Sequence, residues 1–511
     1  MKRFLNRSHP NFLIPLAPAL LLLIVAGFAW SPLTGGVDFW AHASIGRWIL
    51  ENGRFPTETL FLWSEKQPWI AHAWATGVFF TFLMRVGGES GGPVLALLFN
   101  VLMSALPFAL LWSFWRRNAP FSSVVPVIFA IAIWAGAARF HPRPELFTAL
   151  FMTLLLLFLM GWMRQNGGSK AQVFGILVMF ALWPNFHGAV AVGLALLWVS
   201  ALCEWIQSRA RDFRMVLLAA ICTLLVFVCN PRGFDYYRVL LPIASSTFQK
   251  IDEWKPFWGW PRLATELVIA EILLWVTGMI LWAKNPNRRL AQLGWMLLMG
   301  AAFLQARRQL WLTAITSLAV IVSNARPLQS DNMFRGWRQI SRGDVSQPIP
   351  APMRLIARAG ILVVLLCAVG QAFSKDFWPP RATNRKLPVE MANFLREKAP
   401  PGRILNDYEF SSYLQWGLRG KRTLYIDLNN AYPDTLMNEY FEMLSSSKKP
   451  EVLAKYDARR GQILADRKIQ VVALRPFTNK EGLSMLATYL NKNPNWKRIY
   501  KRVDGTVWAR M

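Results

Sequence analysis

The chain has 511 residues, of which 54% are hydrophobic and only 17% charged, and it carries 25 Trp and a formal net charge of +28. Several apolar runs of roughly 15–23 residues make this the composition of an integral membrane protein. The Lys and Arg fall in short clusters between those runs, where anionic headgroups and topology account for them, so the charge does not point to nucleic acid.

The N-terminus, "MKRFLNRSHPNFLIPLAPALLLLIVAGFA", has a basic start and an apolar core, and reads as an uncleaved signal anchor because the run is long and more spans follow. Expected spans are about 11–30, 93–115, 121–138, 146–163, 172–186, 188–206, 215–230, 264–283, 290–305, 309–324 and 356–373, or about eleven crossings. The further apolar run at about 70–88 is read as a helix in the outer interface, since counting it as a crossing would scramble the sorting of charge that follows. With that choice Lys2, Arg3 and Arg7, then Arg116 and Arg117, Arg164 and Lys170, Arg209 to Arg214, Lys284 to Arg289 and a linker at about 325–355 share one side, which the positive-inside rule makes cytoplasmic.

The other side receives a first loop at about 31–92, the motifs "ARFHPRPE", "WPNFHG", "NPRGFDYY", "IDEWKPF" and "QARRQ", and a hydrophilic tail. The chain thus divides into a transmembrane part, 1–373, and an extracytoplasmic α/β domain, 374–511. Within the tail, "PVEMANFLREKAP" reads as helix, "RTLYID" and "IQVVALRP" as strands, and the runs flanking Asp504 and Gly505 as a hairpin. The cysteines at 203, 222, 229 and 367 lie in apolar runs, so the tail has no disulfide framework or Cys-based metal site.

In "VDFWAHASIGRW" a helix would put Asp38 and His42 one turn apart on one face, with Trp40 and Trp48 at the lipid–water boundary. Asp38 is a candidate base; the plainer account is that it caps the helix. Apart from His9, every His (His42, His72, His141 and His187) maps to the outer face. No pair shows an H-x-x-x-H spacing, so hydrogen bonding is favoured over a metal site, and a divalent metal has no support in the sequence.

Arg139 and Arg143 precede a helix that Pro144 and Glu145 would start, and Arg307 and Arg308 repeat the pattern of arginine on the side where positive charge is disfavoured. Their planar forks suit a lipid phosphate, and headgroup anchoring is the alternative. Glu271, about two turns into the span at 264, is a buried ionisable group and so a site candidate, while Asp252 and Glu253 rank lower as loop acids. The motifs G-x-x-x-x-G-K-S/T, H-E-x-x-H and G-x-S-x-G and a dinucleotide fingerprint are missing, which leaves ATP-driven transport, zinc proteolysis, esterase and NAD chemistry without support.

These features resemble the GT-C superfamily of polytopic glycosyltransferases, which includes protein O-mannosyltransferases, the aminoarabinose transferase of lipid A and the oligosaccharyltransferase catalytic subunit. The chain also resembles uncharacterised bacterial membrane proteins with a D-x-W-W-H first loop, here "DFWAH" with Ala41 for the second Trp, and with "RPE" (143–145), "WPNFHG" (183–188) and "NPRG" (230–233). The resemblance implies Asp38 as base or acceptor-orienting group, a polyprenyl-phosphate-linked sugar as donor, and inversion at the anomeric carbon. Phe39 follows Asp38 where many relatives have a second acid, and "HPRPE" offers only Glu145 for the acidic motif of the second outer loop.

The expected function is sugar transfer to an envelope glycan, lipid or protein acceptor on the outer face of the bacterial cytoplasmic membrane, with Asp38 and His42 catalytic. Arg139, His141, Arg143, Glu145, Asn185, His187, Glu271, Arg307, Arg308, Trp40 and Trp69 are the expected substrate-binding residues. The alternatives are a non-catalytic subunit that binds lipid-linked glycan and, with less support, a transporter.

Overall fold

The computed structural model describes residues 13–34, 38–118, 124–209, 212–240, 255–256, 265–324, 387–429, 432–447, 449–477 and 482–511. The expected span at 356–373, the linker at 325–355, His9, Asp252 and Glu253 lie outside the described residues.

Each of the ten expected runs before 325 falls on a helix: α1 (Leu13–Ala29), the later part of α3 (Trp74–Asn118), α4 (Val125–Gly136), α5 (Glu145–Gln165), α6 (Lys170–Phe186), α7 (Val190–Gln207), α8 (Arg214–Val228), α10 (Thr265–Lys284), α11 (Leu290–Gln305) and α12 (Leu310–Ser323). Among the described residues four helices are long and apolar enough to cross a membrane, and a fifth candidate pairs α8 with the segment Gly233–Leu240, which ends in the one-turn α9 (Tyr237–Leu240) and is bent by 105°. The remaining apolar helices are shorter. Local chemistry sets several ends: Ser169 and Gln172 form a capping box at the start of α6, and Asn166, at φ 53°, closes α5.

The helix α3 is not straight. Gly88 has φ 65°, which stops the helix there, and the chain folds back so that the Phe79 and Phe99 ring centroids lie 4.7 Å apart. A single straight helix would separate residues 79 and 99 by about 30 Å. The apolar run at 70–88 is therefore the first arm of a helical hairpin, roughly 21 Å long for residues 74–87, and α2 (Asp38–Asn52) packs on it.

The C-terminal unit comprises α13 (Val389–Glu397), β1 (Arg403–Asn406), α14 (Ser411–Gly417), α15 (Asp434–Leu444), α16 (Pro450–Asp466), β2 (Ile469–Leu474), α17 (Gly482–Lys492), β3 (Trp496–Arg502) and β4 (Gly505–Arg510). Its sheet runs β1-β2-β4-β3, with β1 parallel to β2 and the other neighbours antiparallel. The expected hairpin is β3–β4, where Arg502 faces Gly505. "RTLYID" is not a strand of this sheet: Leu424 makes a single parallel bridge to Leu62 of the first loop, because the backbone groups there pair outward.

This unit shares a core with the first loop. Leu33, Phe39, Trp40, Ala43, Leu62, Phe80 and Met84 are buried together with the sheet and its helices. Polar ties flank the apolar contact: the Ala41 N–H donates to Ser412 Oγ at 3.0 Å, Arg47 donates to Trp416 O at 3.0 Å, and Trp63 Nε1 donates to Ile404 O at 2.9 Å.

Candidate active site

On the face of α2 away from this shared core lies a cavity of about 670 Å³, bounded by the first loop, the start of α5, the turn between α6 and α7, the segment 232–240, Arg308 and the loop 428–429 of the C-terminal unit. Asp38, Ala41, His42 and Ile45 line it, spaced i, i+3, i+4 and i+7 along one side of α2. Among the described residues Asp38 makes no capping bond; the free Ala41 N–H is taken by Ser412 instead. The Asp38 carboxylate lies 3.6 Å from Arg143 Nε, and its side chain is 37% exposed against 14% for Arg143. Thus the acid sits at the mouth and the guanidinium below it.

Arg139 Nε donates to Glu145 Oε2 at 3.0 Å and its terminal nitrogen reaches the same oxygen, a pair in which both residues are buried. Glu145, in the first turn of α5, therefore answers Arg139 rather than merely favouring the helix start. Three imidazoles complete the wall. Loss of solvent, opposed by Asp38 and aided by Arg143, lowers His42 to about 4. Burial, with His42 and Arg308, lowers His72 to about 4, and burial with Arg308 and the neighbouring imidazoles takes His187 well below its ordinary value. The cavity thus sets permanently charged guanidinia beside neutral imidazoles.

Asp38, His42, Trp69, Arg139, Arg143, Glu145, His187 and Arg308 line this cavity together. Five expected residues do not. Trp40 is 100° or more around α2 from the cavity, buried against Tyr413 at 5.0 Å between centroids, with its Nε1 donating to Thr34 O. Asn185 spends its amide on structure, accepting from Trp74 Nε1 at 2.8 Å and donating to Ala181 O and Cys229 O. Glu271 is fully buried between α10 and α12, where it accepts from Ser317 at 3.3 Å. Arg307 is outside the lining while Arg308 is in it, because successive residues of the 3-10 turn Arg307–Gln309 project about 120° apart. His141 is half-buried in the turn before α5, also outside the lining.

Residues not expected from the sequence also line the cavity: His72, Arg232, Asp235, Arg238, Gln309 and Asn429. Arg232 lies in the polar break "NPRG" and donates to Pro56 O, a signal that was present; Asn429 arrives only through docking of the C-terminal unit and had none.

No known family profile matches the chain, and no curated protein matches its sequence. Solved structures do match in shape. ArnT from Cupriavidus metallidurans, bound to undecaprenyl phosphate, superposes with a TM-score of 0.56 at 16% identity over 98% of this chain and 98% of that one. The apo oligosaccharyltransferase of Archaeoglobus fulgidus gives 0.55 at 11% identity over 91% of this chain and 70% of that one. AglB from the same archaeon, with an inhibitory peptide and a dolichol-phosphate, gives 0.54 at 11% identity over 91% and 69%.

The chain shares its fold with ArnT and with these archaeal oligosaccharyltransferases.

Whether the cavity could hold a divalent metal turns on its donor set. Two of the carboxylates lining the cavity, Asp38 and Glu145, are engaged by Arg143 and Arg139, and among the described residues no three His, Cys, Asp or Glu side chains converge as ligands. Among the described residues the donor set does not fit a metal.

Proposed function

We propose that this chain is a membrane glycosyltransferase that moves a sugar from a polyprenyl-phosphate-linked donor to an envelope glycan, lipid or protein acceptor, on the outer face of the bacterial cytoplasmic membrane. The observation that carries the reading is the carboxylate of Asp38 beside Arg143 at the mouth of a guanidinium-lined cavity in a GT-C fold. The about eleven crossings, a cytoplasmic N-terminus and an extracytoplasmic C-terminal domain belong to this proposal. They are supported by the sorting of Lys and Arg and by the packing of the first loop on the C-terminal unit, which puts both on one side. Alkaline phosphatase fused after Met511 is expected to be active; an inactive fusion with an active cytoplasmic reporter overturns the topology and the site with it.

In the proposed reaction the acceptor hydroxyl attacks the anomeric carbon from the face opposite the phosphate, so the product is inverted. A bond forms from acceptor oxygen to that carbon, the carbon–oxygen bond to phosphate breaks, the lipid phosphate leaves with the electron pair, and the hydroxyl proton passes to Asp38. Arginine forks offset the charge that grows on the departing phosphate. Arg143 has two anions to serve: it lies 3.6 Å from Asp38, and a donor phosphate that draws it away would free the carboxylate to act as base.

Asp38→Asn is therefore expected to keep donor binding and to lower transfer by roughly 10²–10⁴-fold, the usual share of general-base catalysis. Transfer at the wild-type rate by that variant refutes the catalytic role of Asp38. A variant that binds donor normally beside a wild type that transfers nothing to any envelope acceptor, by mass spectrometry of glycans and glycolipids, supports the binding subunit instead.

A further inference from the structure

His187 follows α6 in an extended conformation and lines the cavity while being only 8% exposed. Its Nδ1 lies 2.8 Å from Thr148 Oγ1, and the same oxygen lies 3.0 Å from Nε1 of Trp183. Thr148 and Trp183 are fully buried. An indole N–H can only donate, so Thr148 accepts from Trp183 and has one proton of its own to place. Among the described residues its remaining partner is His187 Nδ1. The opposite assignment, with Nδ1 donating, leaves the Thr148 proton buried and unbonded, which is disfavoured.

The relay from Trp183 through Thr148 therefore fixes the imidazole with its proton on Nε2, and that N–H is the group left for the cavity. Burial and the nearby charges of Arg308 and Arg139 keep the ring neutral. Beside it His72 stands with ring centroids 6.4 Å apart. The backbone at Gly188 allows this closeness, since a Cβ there would come within 2.8 Å of Val239 Cγ1 and 3.3 Å of His72 Cδ2.

We propose that His187, oriented by Thr148 and Trp183, recognises the transferred sugar, donating from Nε2 to one of its hydroxyl or ring oxygens while the arginines hold the phosphate. The proposal rests on the glycosyltransferase reading above. The division of labour follows from charge. A phosphate is served by permanently charged forks, to which a neutral ring adds little. A fixed, buried N–H instead reads whether an acceptor atom stands at one place, because a ligand without it leaves the donor unpaired. Thr148 and Trp183 are positioning residues, since they act only through the imidazole.

The test compares undecaprenyl phosphate with undecaprenyl-phosphate glucose, mannose and N-acetylglucosamine on the purified full chain. Wild type is expected to bind at least one sugar-bearing lipid about tenfold more tightly than undecaprenyl phosphate, the worth of roughly one well-made hydrogen bond. Thr148→Val is expected to abolish that preference with undecaprenyl phosphate affinity unchanged, and Thr148→Ser, which keeps the hydroxyl, to restore it. If Thr148→Val does not fold, the pair His187→Gln and His187→Phe decides: Gln, which retains an N–H, keeps part of the preference and Phe loses it. A preference that survives Thr148→Val or His187→Phe overturns the proposal, as does a wild type with no preference or an equal loss of affinity for the sugar-free lipid. A wild type that binds undecaprenyl phosphate not at all refutes the glycosyltransferase reading itself, a separate outcome.

Discussion

Gly46 of α2 and Gly77 of α3 touch backbone to backbone, and this contact supports a quantitative prediction. A Cβ on Gly46 would lie 2.0 Å from the Gly77 carbonyl oxygen and 2.1 Å from its carbon, and a Cβ on Gly77 would lie 2.6 Å from His42 O. Ordinary contact begins at 3.4 Å, so Gly46→Ala must open the helix pair by about 1.4 Å, the difference of 3.4 and 2.0. The first arm of α3 is backed by its second arm and α2 by the C-terminal unit, so the opening strains the pair, and α2 carries Asp38 and His42 one to two turns from the contact. A misplacement of about 1 Å at reacting groups costs on the order of 10²-fold in rate. Alanine is otherwise the better helix former by about 1 kcal/mol, so propensity alone predicts the opposite sign. Transfer measured per mole of folded protein, with melting temperature in parallel, is the assay. Gly161→Ala, where a Cβ meets open space, is the control and is expected to be neutral or slightly stabilising. Gly46→Ala with wild-type rate and melting temperature refutes the argument.

Glu145→Gln leaves the buried Arg139 guanidinium without its carboxylate and is expected to destabilise the chain by about 3–5 kcal/mol, read from thermal or denaturant unfolding in detergent. Ser412→Ala removes the acceptor of the Ala41 N–H and is expected to cost about 1 kcal/mol, with a drop in transfer because the start of α2 frays beside Asp38. Arg308→Lys is expected to lose donor affinity as fully as Arg308→Ala does, since an ammonium cannot make the two-point contact with phosphate. His42 and His72 are held near 4 in the folded chain against an ordinary 6.5, so as pH falls below about 6.5 the unfolded chain takes up protons first. Stability is therefore full above that value and declines toward pH 4, and a melting-temperature profile from pH 7.5 to 4.5 should show a slope that His72→Gln reduces.

Apolar period and charge sorting made the helices before residue 325 legible, because a run of apolar residues at helix length has few other uses. The Asp504–Gly505 hairpin was legible for the same kind of local reason. What the sequence hid was tertiary. Trp40 reads as a boundary aromatic, yet it faces the C-terminal unit, whose docking surface leaves no periodic trace in either segment. Asn185 and Glu271 look like intramembrane polar groups awaiting substrate, and their partners, Trp74, Cys229 and Ser317, lie 44 to 111 residues away in sequence. Asn429 enters the cavity from a part of the chain that carried no polar motif of its own. The choice between Arg307 and Arg308 turned on a 3-10 turn, whose 120° steps a helical reading does not resolve.

The shared core between the first loop and the C-terminal unit sets an order of events during synthesis. Ala41 and Ser412 are separated by 371 residues, so at the usual 5–20 residues per second about 20–70 s pass between the appearance of α2 and of the helix that covers it. Throughout that interval Trp40, nearly fully buried in the finished chain against Tyr413, lacks the cover that the C-terminal unit supplies. Ribosome-stalled chains that end before residue 387 should therefore crosslink to folding factors through the first loop, whereas chains released after residue 511 should not. The helix that carries Asp38 and His42 is among the first elements made and, on this account, among the last to be fully packed.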